Sequence, residues 1–338
     1  MKYFEAHPVT DFKDANGDVP EILIVDGNRT GGKTTAFSRF LVDEFLNHGK
    51  KFFIIKRYKN ELKDIADAFF SDIRSLFFED HVMTSKSHAD GAYIELFLDK
   101  KSCGYASALT MTGKLKLYSH IFADVENMFF DEYQDEYNVY LPDELKRFHS
   151  LHTTIARGHG KAVRFVPVYM ASNSISIFNP YYRTFGITSK INSSTKVYRG
   201  DGFVLLRLTI KDVALEQRKS AFNRAMNGSG YLDSAVDNAF LNDDSFNVGK
   251  RTDVKKMLFG FIDGKDFYSV NYSGSQYYVR KGGDRQFPNV FGVHRSDRSG
   301  NITAAPESYL SRLRFMYENA NVFFETQESK HAFLELIS

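Results

Sequence analysis

The chain has 338 residues, enough for two domains, and its 43% hydrophobic and 25% charged residues are the balance of an ordinary soluble globular protein. Its one cysteine, Cys103, excludes an intramolecular disulfide and a cysteine metal cluster and suits a reducing cytoplasm. A net charge of +2 excludes a global basic field, so nucleic-acid binding has to come from local patches; no apolar run reaches about 18 residues, no signal-peptide pattern opens the chain, and no repeat is visible.

Residues 1–20 read as a lead-in whose turn-rich end, Asp14 to Pro20, stops where a first strand begins at Ile22-Leu23-Ile24-Val25. Gly27-Asn28-Arg29-Thr30-Gly31-Gly32-Lys33-Thr34 follows, and Thr35 to His48 reads as helix. Strand, glycine-rich loop and helix are the context in which G-x-x-x-x-G-K-[ST] means a phosphate-binding loop. Glycines let the backbone wrap a triphosphate with its N–H groups pointing inward, and the helix presents its positive end to the phosphates. Lys33 is expected to reach the β- and γ-phosphates, and the Thr34 hydroxyl to bind Mg²⁺. A nucleoside triphosphate with Mg²⁺ is therefore the expected ligand pair, and residues 27–35 are its expected cradle.

Further on, Lys51–Arg57 reads as a buried strand. A helix is expected over Asn60–Phe78, with Leu62, Ile65, Phe69, Ile73 and Leu76 on its core face. Ala92–Leu98 and Gly104–Leu109 read as a hairpin around Asp99-Lys100-Lys101, and Lys114 and Lys116 fall in a polar loop. Asn127–Phe130 is another buried strand, ending in Asp131 and Glu132. Phosphoryl transfer needs held Mg²⁺ and a positioned water, so Asp131 is the expected metal residue and Glu132 the water-activating one. Pro142 opens a helix to about Arg157, which Gly158-His159-Gly160 stops. Arg164–Ala171 is an apolar strand ending at Ser172-Asn173, and Phe203–Leu208 is the last strand of the unit. Strands alternating with helices predict an α/β fold with a mainly parallel sheet and helices on both faces.

After residue 210 the texture changes. A charged helical stretch (Asp212–Met226) leads through Asn227-Gly228-Ser229-Gly230 into a polar segment ending near Asn247. Hairpin strands are then expected at Met257–Ile262, Phe267–Tyr272, Gln276–Arg280 and Val290–His294, with helices from Pro306 and Glu328. The expected domains are a P-loop unit over 1–209, a partly helical linker over 210–249 and a small α+β unit over 250–338. In that tail Asp263, Asp266 and Asp297 make no convincing metal triad, and Asp263 is explained by an Asp-Gly turn. Arg280, Lys281, Arg285, Arg295, Arg298, Arg312 and Arg314, interleaved with Tyr277, Tyr278, Phe287 and Phe291, suit a nucleic-acid-binding face or, equally, a solvated surface. None of the ten histidines shows metal-ligand spacing.

In order, Gly27–Thr34, Arg57-Tyr58-Lys59-Asn60-Glu61-Leu62, Phe130-Asp131-Glu132-Tyr133, Ala171-Ser172-Asn173 with Asn179-Pro180-Tyr181, and Arg218–Phe222 resemble the DNA-packaging ATPases of phi29-like phages, small relatives of the large terminases. The resemblance spans residues 20 to 245. It implies an ASCE, RecA-like P-loop fold with a degenerate RNase H-like tail. It further implies a homopentameric ring on the portal, or connector, of an empty procapsid. That ring translocates double-stranded DNA in the host cytoplasm and is absent from the mature virion. A structural packaging RNA is a partner in some relatives, and no membrane is involved. By the same resemblance Arg157 is the arginine finger acting on the neighbouring subunit's site, with Arg164 as fallback, and Arg29 senses the γ-phosphate in cis. Ser172 and Asn173 couple phosphate state to motion. Lys59 and Lys114, with Lys116 and Lys56 nearby, face the DNA. The plain alternatives are a helix-terminal arginine favoured by the dipole at Arg157, a solvated loop residue at Arg29, a strand-end Asn satisfying a turn at Asn173, and lysines that only cap strand and loop ends. Rival functions are a terminase with an active tail nuclease, and an ATP-gated nucleic-acid-binding protein that does not translocate.

Overall fold

The computed structural model describes residues 4–28, 30–63, 65–136, 139–158, 160, 162–177, 179–188, 190–191, 195–209, 211–225 and 248–338. Arg29, His159 and the expected linker residues 226–247 lie outside the described residues. The chain divides into two compact units: residues 1–175 with 195–238, and residues 176–194 with 239–338. Ser176–Ser194, expected inside the first unit, is counted with the second, where the buried Tyr181 and Tyr182 lie on a short helix, Pro180–Thr184, capped by the Asn179 side chain.

The first unit is built on a nine-stranded sheet. Its strands are β1 (Ile22–Gly27), β2 (Lys51–Lys56), β3 (Met83–His88), β4 (Tyr93–Leu98), β5 (Lys101–Ala108), β6 (Val125–Asp131), β7 (Val168–Asn173), β8 (Val197–Arg199) and β9 (Phe203–Leu208). The order is β3-β4-β5-β2-β6-β7-β1-β9-β8. From β5 to β9 every neighbouring pair is parallel, and the edges carry antiparallel partners. The apolar runs behave as central parallel strands must, buried on both faces. On one face Phe37 of the Lys33–His48 helix packs on Phe129 and Tyr169, and Phe69 of the Ile65–Phe77 helix packs on Phe52. On the other, Phe122 packs on Phe53 and Tyr105, and Phe148 of the Glu144–Ile155 helix on Phe130. Each such buried aromatic contributes roughly 1.5–3 kcal/mol by leaving water.

The second unit carries a five-stranded sheet of β10 (Lys256–Asp263), β11 (Asp266–Ser273), β12 (Gln276–Lys281), β13 (Val290–Gly292) and β14 (Val322–Phe324), ordered β13-β10-β11-β12-β14. Helices Glu307–Glu318 and Gln327–Ile337 add Tyr317 and Phe333 to a ring cluster with Phe324.

Several expectations differ from this arrangement. The expected helix over 60–78 is a 3-10 turn, Lys59–Leu62, followed by the helix Ile65–Phe77. Glu61 makes the break: its carboxylate accepts the N–H groups of Arg57 and Tyr58. Leu76, expected on the core face, is 65% exposed. Lys114 and Lys116 lie on short helical turns, Thr112–Leu115 and Lys116–Phe122, rather than a loop. Strand β3 was not expected because its Thr84-Ser85-Lys86-Ser87 centre is exposed at a sheet edge and carries no apolar alternation.

The parallel core is tight at Gly104 on β5, where an added Cβ would stand 2.2 Å from the Phe52 carbonyl oxygen. Gly104→Ala should therefore destabilise the chain by about 1–3 kcal/mol in chemical unfolding. Gly113→Ala, which meets nothing within 4 Å, should be nearly neutral. Equal unfolding midpoints for the two variants would contradict this packing.

Candidate active site

Parallel strands present all their C-terminal ends at one edge, and ligands of open α/β sheets bind there. At that edge β7 lies between β1 and β6, with Gly27 opposite Asn173 and Asp131 opposite Ala171. The loop after β1 and the acids after β6 are thereby brought together although far apart in sequence. The Thr34 hydroxyl donates to Asp131 Oδ1 at 3.0 Å.

The loop between them is shaped by backbone freedom. Gly32, at φ 84°, caps the Lys33–His48 helix in the left-handed region. Gly27 has no room for a side chain, since a Cβ would stand 2.9 Å from the Leu208 carbonyl oxygen. Lys33 is buried and curls back into the loop. Its ammonium donates to the carbonyls of Gly27 (3.0 Å) and Asn28 (2.9 Å) and to Asn173 Oδ1 (3.3 Å). The helix Lys211–Lys219 reaches the same loop through a hydrogen bond from Gln217 Nε2 to Thr30 Oγ1.

Burial, the largest cause, pushes the Asp131 carboxyl up to about 6; Lys56 opposes the rise, Glu132 adds to it, and the Thr34 hydrogen bond opposes it. Glu132 is exposed and sits at φ +54°, a left-handed conformation that costs a non-glycine residue roughly 1–3 kcal/mol and persists only where its surroundings hold it. Two sets of buried side chains hold it here. Arg57, 6% exposed, makes a bidentate ion pair with Glu144, 3% exposed, and donates to the carbonyls of Tyr133 (2.6 Å) and Glu132 (3.4 Å). On the other side the fully buried Asp26 accepts from Tyr133 Oη (2.8 Å) and Gln134 Nε2 (2.9 Å). Gln134 Oε1 in turn accepts the Ile175 N–H, and the Gln134 carbonyl accepts from Ser172 Oγ at 3.5 Å. The acid loop is thus tied to the ends of both β1 and β7.

Sequence reasoning missed Asp26, Gln134 and Glu144. A lone acid or amide has no motif. The one available signal for Asp26 was an acid interrupting the apolar run before Gly27.

The remaining expected residues are spread around the same edge. Lys56 lines a cavity of about 330 Å³ with Asp131, Glu132 and Asn173, beside the acids rather than apart from them. Lys59 donates to the Asp90 carbonyl at 2.7 Å, and Lys114 and Lys116 are exposed. Arg157 is exposed just beyond the Glu144–Ile155 helix and makes no hydrogen bond among the described residues. Arg164 is occupied, donating to the carbonyls of Val125 (3.0 Å) and Ile155 (2.9 Å), which suits a structural role.

In the second unit, Tyr277, Tyr278 and Phe291 are buried in the sheet core, so they do not interleave a surface face with the basic residues. Lys281 is paired with Asp266 and Glu328, and Arg314 with Glu307. Asp263, His294 and Asp297 converge, a grouping their sequence spacing did not suggest. Their mutual bonds account for it: His294 Nε2 meets Asp263 Oδ1 at 3.1 Å, and Asp297 Oδ2 accepts the His294 N–H at 2.8 Å. Asp266 is not part of the group.

A buried ion pair broken on one side leaves an uncompensated charge, whereas its joint replacement by apolar groups can be neutral. Glu144→Ala should cost about 3–5 kcal/mol in urea unfolding. Arg57→Met with Glu144→Leu should cost less than Glu144→Ala alone. A single-variant loss under about 1 kcal/mol would contradict the clamp.

Residues 20–337 match the model of the family described as Podovirus DNA encapsidation protein (Gp16). The DNA packaging proteins of Bacillus phages PZA and phi29 are each 26% identical over 320 residues, covering 92% of this chain and 92% of theirs. A chain of the bacteriophage Phi-29 viral genome packaging motor assembly superposes with a TM-score of 0.59 at 22% identity, covering 99% of this chain and 100% of that one, and so shares the fold. The chain belongs to the Podovirus DNA encapsidation protein family.

Proposed function

We propose that this protein is an ATP-driven motor that moves double-stranded viral DNA into a preformed procapsid. The observation that carries the reading is the 3.0 Å approach of Thr34 to Asp131 beside Lys33, in a chain of the encapsidation family. Two adjacent hard oxygen donors fit Mg²⁺, and Gly31, Gly32 and Lys33 line the same open cavity as Thr34 and Asp131, where a phosphate can reach the loop. Thr34 and Asp131 would hold that ion, which neutralises charge between the β- and γ-phosphates when bound.

The other roles follow from side-chain chemistry. Lys33 can exchange Asn173 Oδ1 for a phosphate oxygen, which releases Asn173 at the end of β7. Ser172 and Asn173 then report phosphate state, since Ser172 also touches the acid loop. Glu132, exposed at the site, takes the proton of the attacking water. Arg157, exposed and unengaged among the described residues, acts on the site of a neighbouring subunit, and Arg29 acts in cis. Lys59, Lys114 and Lys116 follow the ends of β2 and β5, and there they would meet the DNA backbone through salt-sensitive phosphate contacts. Lys56 belongs by position with the acids, and we assign it to their electrostatics. A homopentameric ring on the portal, with or without a packaging RNA, completes the proposal.

Glu132→Gln should lower ATP turnover by about 10²–10⁴-fold with nucleotide binding retained, and Lys33→Ala should lose both. Full turnover in either variant would sink the site assignment. Arg157→Ala mixed with Glu132→Gln subunits should recover turnover that neither variant has alone, because each supplies what its neighbour lacks. No recovery in mixed assemblies would contradict action in trans.

A further inference from the structure

The phosphate loop opens into a much larger cavity of about 1170 Å³, which continues past Thr35 to Arg39, Asp43, Leu76 and Phe77. Thr35, Arg39 and Asp43 are spaced four apart and share one face of the Lys33–His48 helix. A nucleotide with its phosphates at the helix start would run its nucleoside along this face. The far wall is apolar and largely uncovered: Leu76 is 65% and Phe77 42% exposed at the end of the Ile65–Phe77 helix, with Phe77 edge-on to the buried Phe78. The Arg39 guanidinium lies 4.1 Å from the centre of the Phe77 ring and is paired with Asp43 at 3.4 Å. The N-terminal segment closes the opposite side, where the Phe4 N–H donates to the Gly31 carbonyl at 3.0 Å and the Phe4 ring packs on Phe37.

We infer that this second lobe is the seat of the purine base. The Arg39–Phe77 pair stacks on its face, and the Asp43 carboxylate reads its edge. A flat guanidinium over an aromatic ring is a stacking platform for a heterocycle. A carboxylate accepts hydrogen bonds and donates none, so set against the 6-position of a purine it favours the amino group of adenine over the carbonyl of guanine. The exposure of Leu76 and Phe77 is then that of a half-built apolar wall which the base completes. The inference rests on the phosphate-loop reading above, and the test separates the two.

The test is calorimetric binding, with Mg²⁺, of the imido analogues of ATP and GTP and of inorganic tripolyphosphate to the full chain. Phe77→Ala and Arg39→Ala should each weaken the ATP analogue about 10-fold, within the range for loss of one aromatic–base stack. Both should leave tripolyphosphate affinity unchanged, and Phe77→Tyr should bind as wild type. Asp43→Asn should reduce the preference for the ATP over the GTP analogue. All three positions are partly or fully exposed, and thermal melts check that the variants fold. Unchanged ATP-analogue affinity in Phe77→Ala and Arg39→Ala would overturn the seat, as would an equal loss of tripolyphosphate. An unchanged preference in Asp43→Asn would overturn the edge assignment. Lys33→Ala should lose tripolyphosphate as well; if it does not, the phosphate-loop reading fails instead.

Discussion

The placement of β7 between β1 and β6 is the constraint on which the site depends. A parallel pair has its hydrogen bonds slanted but evenly spaced, so once Gly27 stands opposite Asn173 and Asp131 opposite Ala171, β1 and β7 finish level and β6 ends two residues short of them, beside the loop. A register slip of one residue would turn every side chain of a strand to the other face. The 3.0 Å contact between Thr34 and Asp131, and the 3.3 Å contact between Lys33 and Asn173, follow from that register. Aromatic layers on both faces, led by Phe37 and Phe122, fix it.

On this frame the acid loop is held by polar groups that cost free energy to bury. Arg57 with Glu144 grips it from one side, and Asp26 through Tyr133 and Gln134 from the other. Such sets are poor sources of stability but good sources of a single geometry, because every alternative leaves a buried partner orphaned. They explain how Glu132 can occupy a left-handed conformation that its own side chain disfavours. The same set touches Ser172 and Ile175, so the acid loop and the end of β7 share hydrogen bonds. Beyond Ile175 the chain passes at Ser176 into the second unit.

Much of the α/β frame was legible because its signals are local. A buried apolar run bounded by turns marks β1, β2, β6 and β7, and a glycine-rich loop between strand and helix marks the phosphate loop. What was not legible depended on long-range partners. Arg57 and Glu144 are 87 positions apart, and nothing at either position announces the other. Strand β3 has an exposed polar centre and exists because β4 offers it an edge. Leu76 fits helical periodicity, yet the face it shares with Ile65 and Ile73 has turned to solvent by the last turn. Tyr277 and Tyr278 read as a binding face by composition, while both are buried on an interior strand paired with β11 and β14.

The measurement that tests the account most directly is DNase protection of a linear double-stranded genome mixed with purified procapsids, this protein, Mg²⁺ and ATP. The account predicts protection that requires ATP and is lost with Lys33→Ala. Protection without ATP, or its persistence in Lys33→Ala, would contradict a motor driven from the Thr34–Asp131 site.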